Sequence, residues 1–251
     1  MARIIRRLLE PPHECPYLPG RTAVLDVAVL LDVSPAELGV LLERGWRRFG
    51  PAYFRPVCEA CDECVSLRIP VAGFTPSRSQ KRARRLASAL TRTVGVPVVD
   101  DERLALYARW HAERESQRGW EPSGLTAERY AFDFAFDHPS VREVTFRDAA
   151  DHNRLVGVGI MDDVPDALSA VYFFWDPEYA PPSLGVAQIV WMMEEAAARG
   201  LSYVYLGYWV AACASLAYKA RYQRHEVLVG APGLQTSVWR LVPTLSDDGP
   251  R

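Results

Sequence analysis

Beyond Arg142 the chain presents its apolar residues in one order: three strand-like runs, a helix, a strand, a helix and a closing strand. Arg142 to Arg147, Arg154 to Met161 and Leu168 to Trp175 read as strands. The turn-rich Asp162-Asp163-Val164-Pro165-Asp166 joins the last two as an antiparallel hairpin. Leu184 to Arg199 carries Val186, Val190, Met193 and Ala197 on one helical stripe, with Gly200 as its stop. Tyr203-Val204-Tyr205-Leu206 follows as a buried strand, then a helix through Leu216-Ala217-Tyr218-Lys219, then a strand region from His225 to Val229.

The first half has a different character. Ser34-Pro35-Ala36-Glu37 is a capping box with proline at the first helical position, and Gly45 stops the apolar run Leu38, Leu41, Leu42. Thr22 to Val29, Ala52 to Arg55 and Leu67 to Val71 are β-rich between prolines and glycines. Asp100 or Asp101 caps a helix through Leu104, Tyr107, Trp110 and Arg114, and Thr126 to Phe136 suggests another. At 251 residues this makes an α+β chain of two lobes, a small N-terminal mixed α/β lobe over residues 1–95 and a larger one over 96–251. The order of elements in the larger lobe is that of the acyltransferase fold named for the Gcn5-related N-acetyltransferases (GNAT-like, or acyl-CoA N-acyltransferase-like), a mixed sheet with flanking helices. There a splayed pair of central strands makes the transfer cleft, and the helix after the fourth strand offers its amides to a phosphate.

Several classes are excluded. No run approaches the ~18 to 20 apolar residues of a membrane span, and Arg3, Arg6 and Arg7 precede Pro11 and Pro12 rather than an apolar signal segment. A cytoplasmic protein with no membrane partner is expected. Five cysteines, an odd count, then argue against a disulfide framework. The histidines form no triad pattern, and there is neither a Walker loop nor a glycine-rich dinucleotide turn.

Three motifs carry chemistry. Cys58, Cys61 and Cys64 have the spacing that lets thiolates converge on one ion or cluster, with Cys15 as a fourth ligand and His13 nearby. Zinc and an iron-sulfur cluster are equally compatible, and so are three buried thiols in a turn. The net charge is only −2, yet Ser66 to Arg92 holds Arg68, Arg78, Lys81, Arg82, Arg84, Arg85 and Arg92 without one acid. That strip suits phosphate contacts, although most charge runs are simply solvated helix faces. Tyr172 to Asp176 and Leu206 to Trp209 place aromatics at the C-terminal ends of two adjacent strands, either as cleft or as core.

The chain resembles the bacterial aspartate/glutamate leucyltransferases, relatives of the arginyl-tRNA protein transferases. The matching blocks run from Cys15-Pro16-Tyr17-Leu18-Pro19 through Glu43-Arg44-Gly45-Trp46-Arg47-Arg48, Phe54-Arg55-Pro56, Arg68-Ile69-Pro70-Val71 and Ser77-Arg78-Ser79-Gln80-Lys81-Arg82. They continue with Leu168 to Tyr172, Asp176-Pro177, Ser183-Leu184-Gly185, Tyr205-Leu206-Gly207-Tyr208-Trp209 and Ala217-Tyr218-Lys219. The resemblance implies transfer of leucine from leucyl-tRNA to the α-amine of proteins beginning with Asp or Glu, the N-degron mark for degradation. It also implies a set of roles. Tyr172, Asp176 and Tyr208 would be catalytic, Asp176 or a water taking the amine's proton and Tyr208 donating to the oxyanion. Arg78, Gln80, Lys81, Arg82, Ser183, Gly185, Trp209, Lys219 and Arg221 would bind tRNA or acceptor. No cofactor is required for the transfer itself, because the ester is already activated.

One block departs from the family pattern. Ala211-Ala212-Cys213-Ala214-Ser215 stands where a basic glycine- and serine-containing loop is usual, and Ser66 where proline is common. The changed loop keeps open arginyl transfer to the same acceptors and a non-catalytic tRNA- or peptide-binding role. Acetyl transfer from acetyl-CoA has fold analogy alone in its favour.

Overall fold

The computed structural model describes residues 1–118, 126–179, 183–230 and 237–242. Strands β1 (Arg3–Leu9), β2 (His13–Glu14), β3 (Thr22–Ala23) and β4 (Leu25–Leu31) lead into helix α1 (Pro35–Glu43). Alternation sets β4, where Asp26, Ala28 and Leu30 are buried and the residues between them are not. Both bonds of the capping box form at α1: the Glu37 amide donates to Ser34 Oγ and the Ser34 amide to the Glu37 carboxylate. Gly45, at φ +81°, turns the chain out of the helix.

Next come β5 (Arg47–Phe49), β6 (Ala52–Pro56), β7 (Val65–Pro70), α2 (Arg78–Ala87) and β8 (Thr91–Gly95). Helices α3 (Asp101–Arg118) and α4 (Ala127–Phe134) start at side-chain caps from Asp100 and Thr126. The remainder is β9 (Val141–Asp148), β10 (Arg154–Val164), β11 (Ala167–Trp175), α5 (Leu184–Ala198), β12 (Tyr203–Trp209), α6 (Ala214–Ala217), β13 (Glu226–Leu228) and β14 (Trp239–Leu241). The expected helix through Lys219 is shorter than its pattern suggests, since α6 tightens into a 3-10 turn at Tyr218–Arg221. The hairpin is tighter too. β10 runs on through Asp162 and Asp163, which pair with Ser169 and Leu168 in the ladder.

Two main sheets result. The N-terminal one has the order β1-β4-β6-β5, and the larger one β14-β13-β7-β12-β11-β10-β9-β8. Helix α5 covers one face of the larger sheet with Leu184, Ile189, Val190 and Met193, while Leu106, Tyr107, Tyr130 and Phe134 of α3 and α4 cover the other. Residues 1–95 and 96–251 share this sheet, because β7 and β8 come from the first segment. A third cluster, with Leu38, Leu42, Trp46, Val164, Ala167 and Tyr205, packs α1 onto it.

One pairing decides where a site forms. β11 and β12 are parallel, but they pair only through Ala167 with Tyr203, Leu168 with Val204 and Ser169 with Tyr205. Beyond that point β11 stays with β10 as far as Trp175, and β12 stays with β7 as far as Trp209. A register shift in β12 between Tyr205 and Gly207, with Gly207 at φ +77°, accompanies the parting. The sheet therefore opens between the C-terminal ends of its central strands.

Candidate active site

The opening is a cavity of about 230 Å³ walled by the diverging ends of β11 and β12, by β5 and by the 3-10 turn. Arg48, Arg47 and Lys219 bring cations to it, and they are held differently. Arg48 forks onto Asp162, Nε at 3.2 Å from Oδ2 and Nη2 on Oδ1, with both side chains buried. Burial pushes the Asp162 carboxyl up, against the pull of the Arg48 charge and hydrogen bonds. That pair is electrostatically closed.

Arg47 is not. Its Nη1 donates to the carbonyls of Trp46 at 2.7 Å and Leu42 at 3.4 Å, and its guanidinium lies 5.4 and 5.6 Å from the rings of Tyr205 and Tyr208. Its Nε and Nη2 are buried without a hydrogen-bond partner among the described residues. Lys219 donates from Nζ to the carbonyl of Tyr208 at 2.6 Å. Burial, reinforced by the Arg47 charge, brings the Lys219 amine down to about 7, with Cys213 and Cys64 pulling weakly the other way. Lys219 and Lys81 are the two lysines of a chain whose other cations are arginines. An arginine at 219 would stay charged at any working pH; a lysine there can be neutral.

Tyr172 lines the same cavity. Its hydroxyl sits 3.0 Å from Nε2 of His111, whose Nδ1 is 3.5 Å from Glu115, and Tyr107 stacks against both rings. Burial lowers the His111 pKa while Glu115 opposes the shift. Tyr172 is thus a held hydroxyl with a titratable neighbour.

The other expected residues are placed as follows. Tyr208 lines the cavity, but its buried hydroxyl donates to the carbonyl of Gly45 at 2.8 Å, with that of Phe54 at 3.1 Å, so it is spent on joining the lobes and cannot serve the oxyanion. Asp176 is fully buried and outside the cavity, accepting from Arg154 at 2.5 Å, Arg109 at 3.1 Å and the Glu178 amide at 3.0 Å. Burial by itself would raise its pKa, but those partners outweigh it and hold the carboxyl below the usual range. A carboxylate so held is an anchor for the end of β11 rather than a proton acceptor. Gln80 is buried as well. It completes the capping box of α2 with Ser77, and its Nε2 reaches the Arg221 carbonyl at 3.4 Å.

Arg78, Lys81 and Arg82 are exposed on α2, which packs on α5, and Arg84 pairs with Glu194 of α5 at 2.5 Å. Ser183 is exposed at the start of α5 without a side-chain cap bond, and Gly185 lies close to Phe173. Trp209 is half-buried and near His225, and Arg221 is exposed. Cys15, Cys58, Cys61 and Cys64 line one mostly apolar cavity with His13 and Tyr17. Burial pushes the Cys64 thiol up to about 12, and the other four cysteines, Cys213 included, add to the shift. The donors thus suit a thiophilic ion in kind and converge on one space. No group of three or more His, Cys, Asp or Glu stands in metal-holding geometry among the described residues.

Arg47, Arg48, Ser169 and His111 join the site without having been assigned to it from the sequence. For Arg48 the available signal was a paired arginine in a strand; its partner Asp162 is 114 residues away and looked like part of a turn.

Two family descriptions match, "Arginine-tRNA-protein transferase, N terminus" over residues 13–82 and "Arginine-tRNA-protein transferase, C terminus" over residues 102–229. The aspartate/glutamate leucyltransferase of Halorhodospira halophila is 39% identical over 220 residues, covering 87% of this chain and 92% of that protein. The chain belongs to the aspartate/glutamate leucyltransferase family. The leucyltransferase of Helicobacter hepaticus is 33% identical over 230 residues, covering 90% and 94%. As a member of this family the chain is an aminoacyl-tRNA-dependent transferase. Among solved structures, the crystal structure of FemX aligns with TM-score 0.42 and 10% identity over 74% of this chain and 63% of that one. The C-terminal domain of a lysylphosphatidylglycerol synthetase from Agrobacterium fabrum aligns with TM-score 0.43 and 12% identity over 59% and 47%. The chain therefore spans less than two thirds of either. No helix among the described residues is long and apolar enough to cross a membrane.

Proposed function

We propose that the chain transfers leucine from leucyl-tRNA to the α-amine of proteins beginning with Asp or Glu, in the cytoplasm, marking them for degradation. The observation that carries the chemistry is the cavity between β11 and β12, which Lys219 and Tyr172 both line. An acceptor ammonium must lose a proton before it attacks. With its pKa near 7, Lys219 is neutral in a large fraction of molecules at working pH and can take that proton. The amine nitrogen bonds to the ester carbonyl carbon, and Tyr172, held by His111, donates to the developing oxyanion. The carbon–oxygen bond to the ribose then breaks and the proton on Lys219 passes to the departing ribose oxygen, after which the neutral lysine takes the second proton from the nitrogen, leaving the neutral amide, and gives it up to solvent. No covalent enzyme intermediate is needed. Holding amine and ester together supplies much of the acceleration.

Exposed Arg78, Lys81 and Arg82 on α2, which packs on α5, together with Ser183 and Gly185 in the first turn of α5, suit the phosphates of the acceptor arm. Trp209 and Arg221 are assigned to the same bound partners. For the cysteines we propose zinc or an iron-sulfur cluster held by Cys15, Cys58, Cys61 and Cys64, tying the β2–β3 turn to the segment before β7; metal analysis of the purified protein tests it. The changed loop favours a second reading. Ala211 and Ala212 are exposed and carry no charge, which leaves arginyl transfer or binding without transfer as alternatives.

Incubation with leucyl-tRNA or arginyl-tRNA and peptides starting with Asp, Glu, Arg or Ala, read by mass, separates these. Leucine on Asp and Glu peptides alone is the expected result. Arginine on them redirects the donor, and bound but unchanged peptide selects the non-catalytic reading.

A further inference from the structure

Resting on that reading, we propose that Arg47 and Ser169 form the subsite that receives the side-chain carboxylate of the acceptor's first residue, and so decide for Asp and Glu. Two buried polar groups in the cavity between β11 and β12 lack partners among the described residues, Nε and Nη2 of Arg47 and Oγ of Ser169. Arg47 is 7% exposed and Ser169 1%, so both lie away from the outer surface. Leaving a guanidinium edge and a hydroxyl unpaired in a buried site is costly unless a ligand completes them. Two nitrogens of a guanidinium edge and a hydroxyl, on residues that line one cavity, match an ionised carboxylate, which only accepts.

The surroundings narrow the choice of ligand. Arg48, the adjacent cation, is closed by Asp162, so Arg47 is the guanidinium here with donors to spare. The faces of Tyr205 and Tyr208 hold it in place. Ser169 is the last residue of β11 that pairs with β12, which puts its side chain at the floor of the opening. Position also fits the reaction. Arg47 Nε and Lys219 Nζ each lie 3.7 Å from where a Cβ on Gly207 would stand, so they are within twice that distance of each other. In aspartate and glutamate, three or four carbons separate the α-amine from the carboxylate oxygens. One residue can therefore reach Arg47 with its carboxylate while its amine meets Lys219. Gly207, at φ +77° and without a side chain, leaves that space open.

The full-length protein is assayed with leucyl-tRNA and peptides beginning with Asp, Glu, Asn or Ala, in wild-type, Arg47→Met and Ser169→Ala forms whose folding is checked by thermal unfolding. Direct titration of an Asp-starting peptide without tRNA is run in parallel. Arg47→Met is expected to raise KM for Asp and Glu peptides ten- to a hundredfold and to leave KM for leucyl-tRNA unchanged. Ser169→Ala is expected to raise the peptide KM severalfold, and it decides the matter if Arg47→Met does not fold. Unchanged peptide KM and binding in folded variants overturn the proposal, and so does a rise confined to leucyl-tRNA, which would assign the pocket to the donor. If the wild type transfers nothing but binds the Asp peptide through Arg47, the subsite stands and the catalytic reading falls.

Discussion

Lys219 offers a direct test of the electrostatics in the cavity, because its charge state is coupled to folding. A lysine whose amine sits near 7 in the folded chain and near 10.5 when unfolded gives the unfolded state more bound protons across that window. Stability must then rise with pH between about 7 and 10.5, by ~1.4 kcal/mol per unit where the difference is a full proton. Between pH 7.0 and 8.5, where the folded amine is still partly protonated at the lower end, the gain is between about 1 and 2 kcal/mol. Thiols and buried tyrosines titrate in opposition at higher pH, so the measurement stops at 8.5. Urea unfolding of wild type and Lys219→Met at several pH values isolates the contribution, since the variant keeps every other group. The wild type is expected to gain between about 1 and 2 kcal/mol more than the variant over this interval. Methyl labelling of the two lysines for NMR gives the midpoint itself, with exposed Lys81 as the second signal. Parallel stability curves, or a midpoint above 9 for the buried lysine, would refute the reasoning.

Other consequences follow from the same geometry. Tyr172→Phe keeps the ring packing and removes the hydroxyl 3.0 Å from His111, so kcat should fall ten- to a hundredfold with little change in either KM, read in single-turnover transfer. Arg48→Met strands the buried Asp162 carboxylate and should cost about 3–5 kcal/mol in urea unfolding, a loss that Arg48→Met with Asp162→Leu should largely recover. Neutralising Arg78, Lys81 and Arg82 together should weaken tRNA binding and flatten its salt dependence by roughly 2 to 3 in logarithmic slope; an unchanged slope would make α2 an ordinary solvated face.

Much of the architecture was legible because it is local. The Ser34 and Glu37 capping box, the cap at Asp100 and the span of α5 depend on neighbours within a turn or two and appear where the pattern put them, whereas the stripe expected on α5 does not hold, since Ala197 is exposed and Val186 half-buried while Ala187, Ile189, Trp191, Met192 and Ala196 are buried as well. Periodicity was less able to place element ends. It made Asp162 part of a turn, whereas pairing with Ser169 and burial against Arg48 keep it in the strand. The basic strip on α2 was legible for the same local reason, and its exposure follows from one face of the helix being covered by α5.

The site divides along the same line. Sequence alone determined which residue types were present, the thiol cluster, the cationic helix, the aromatic strand ends, Tyr172 and Lys219, and the order of elements that brings β11 beside β12. Only the tertiary structure decided their states. It spent Tyr208 on Gly45, Asp176 on two arginines and Gln80 on a helix cap, closed Arg48 with Asp162, and left Arg47 and Ser169 open. The physical reason is that a side chain's protonation and free hydrogen-bonding capacity depend on burial and on partners that reach it from other elements. Asp162 lies 114 residues from Arg48, and Gly45 163 residues from Tyr208, distances over which a linear pattern carries no electrostatic information.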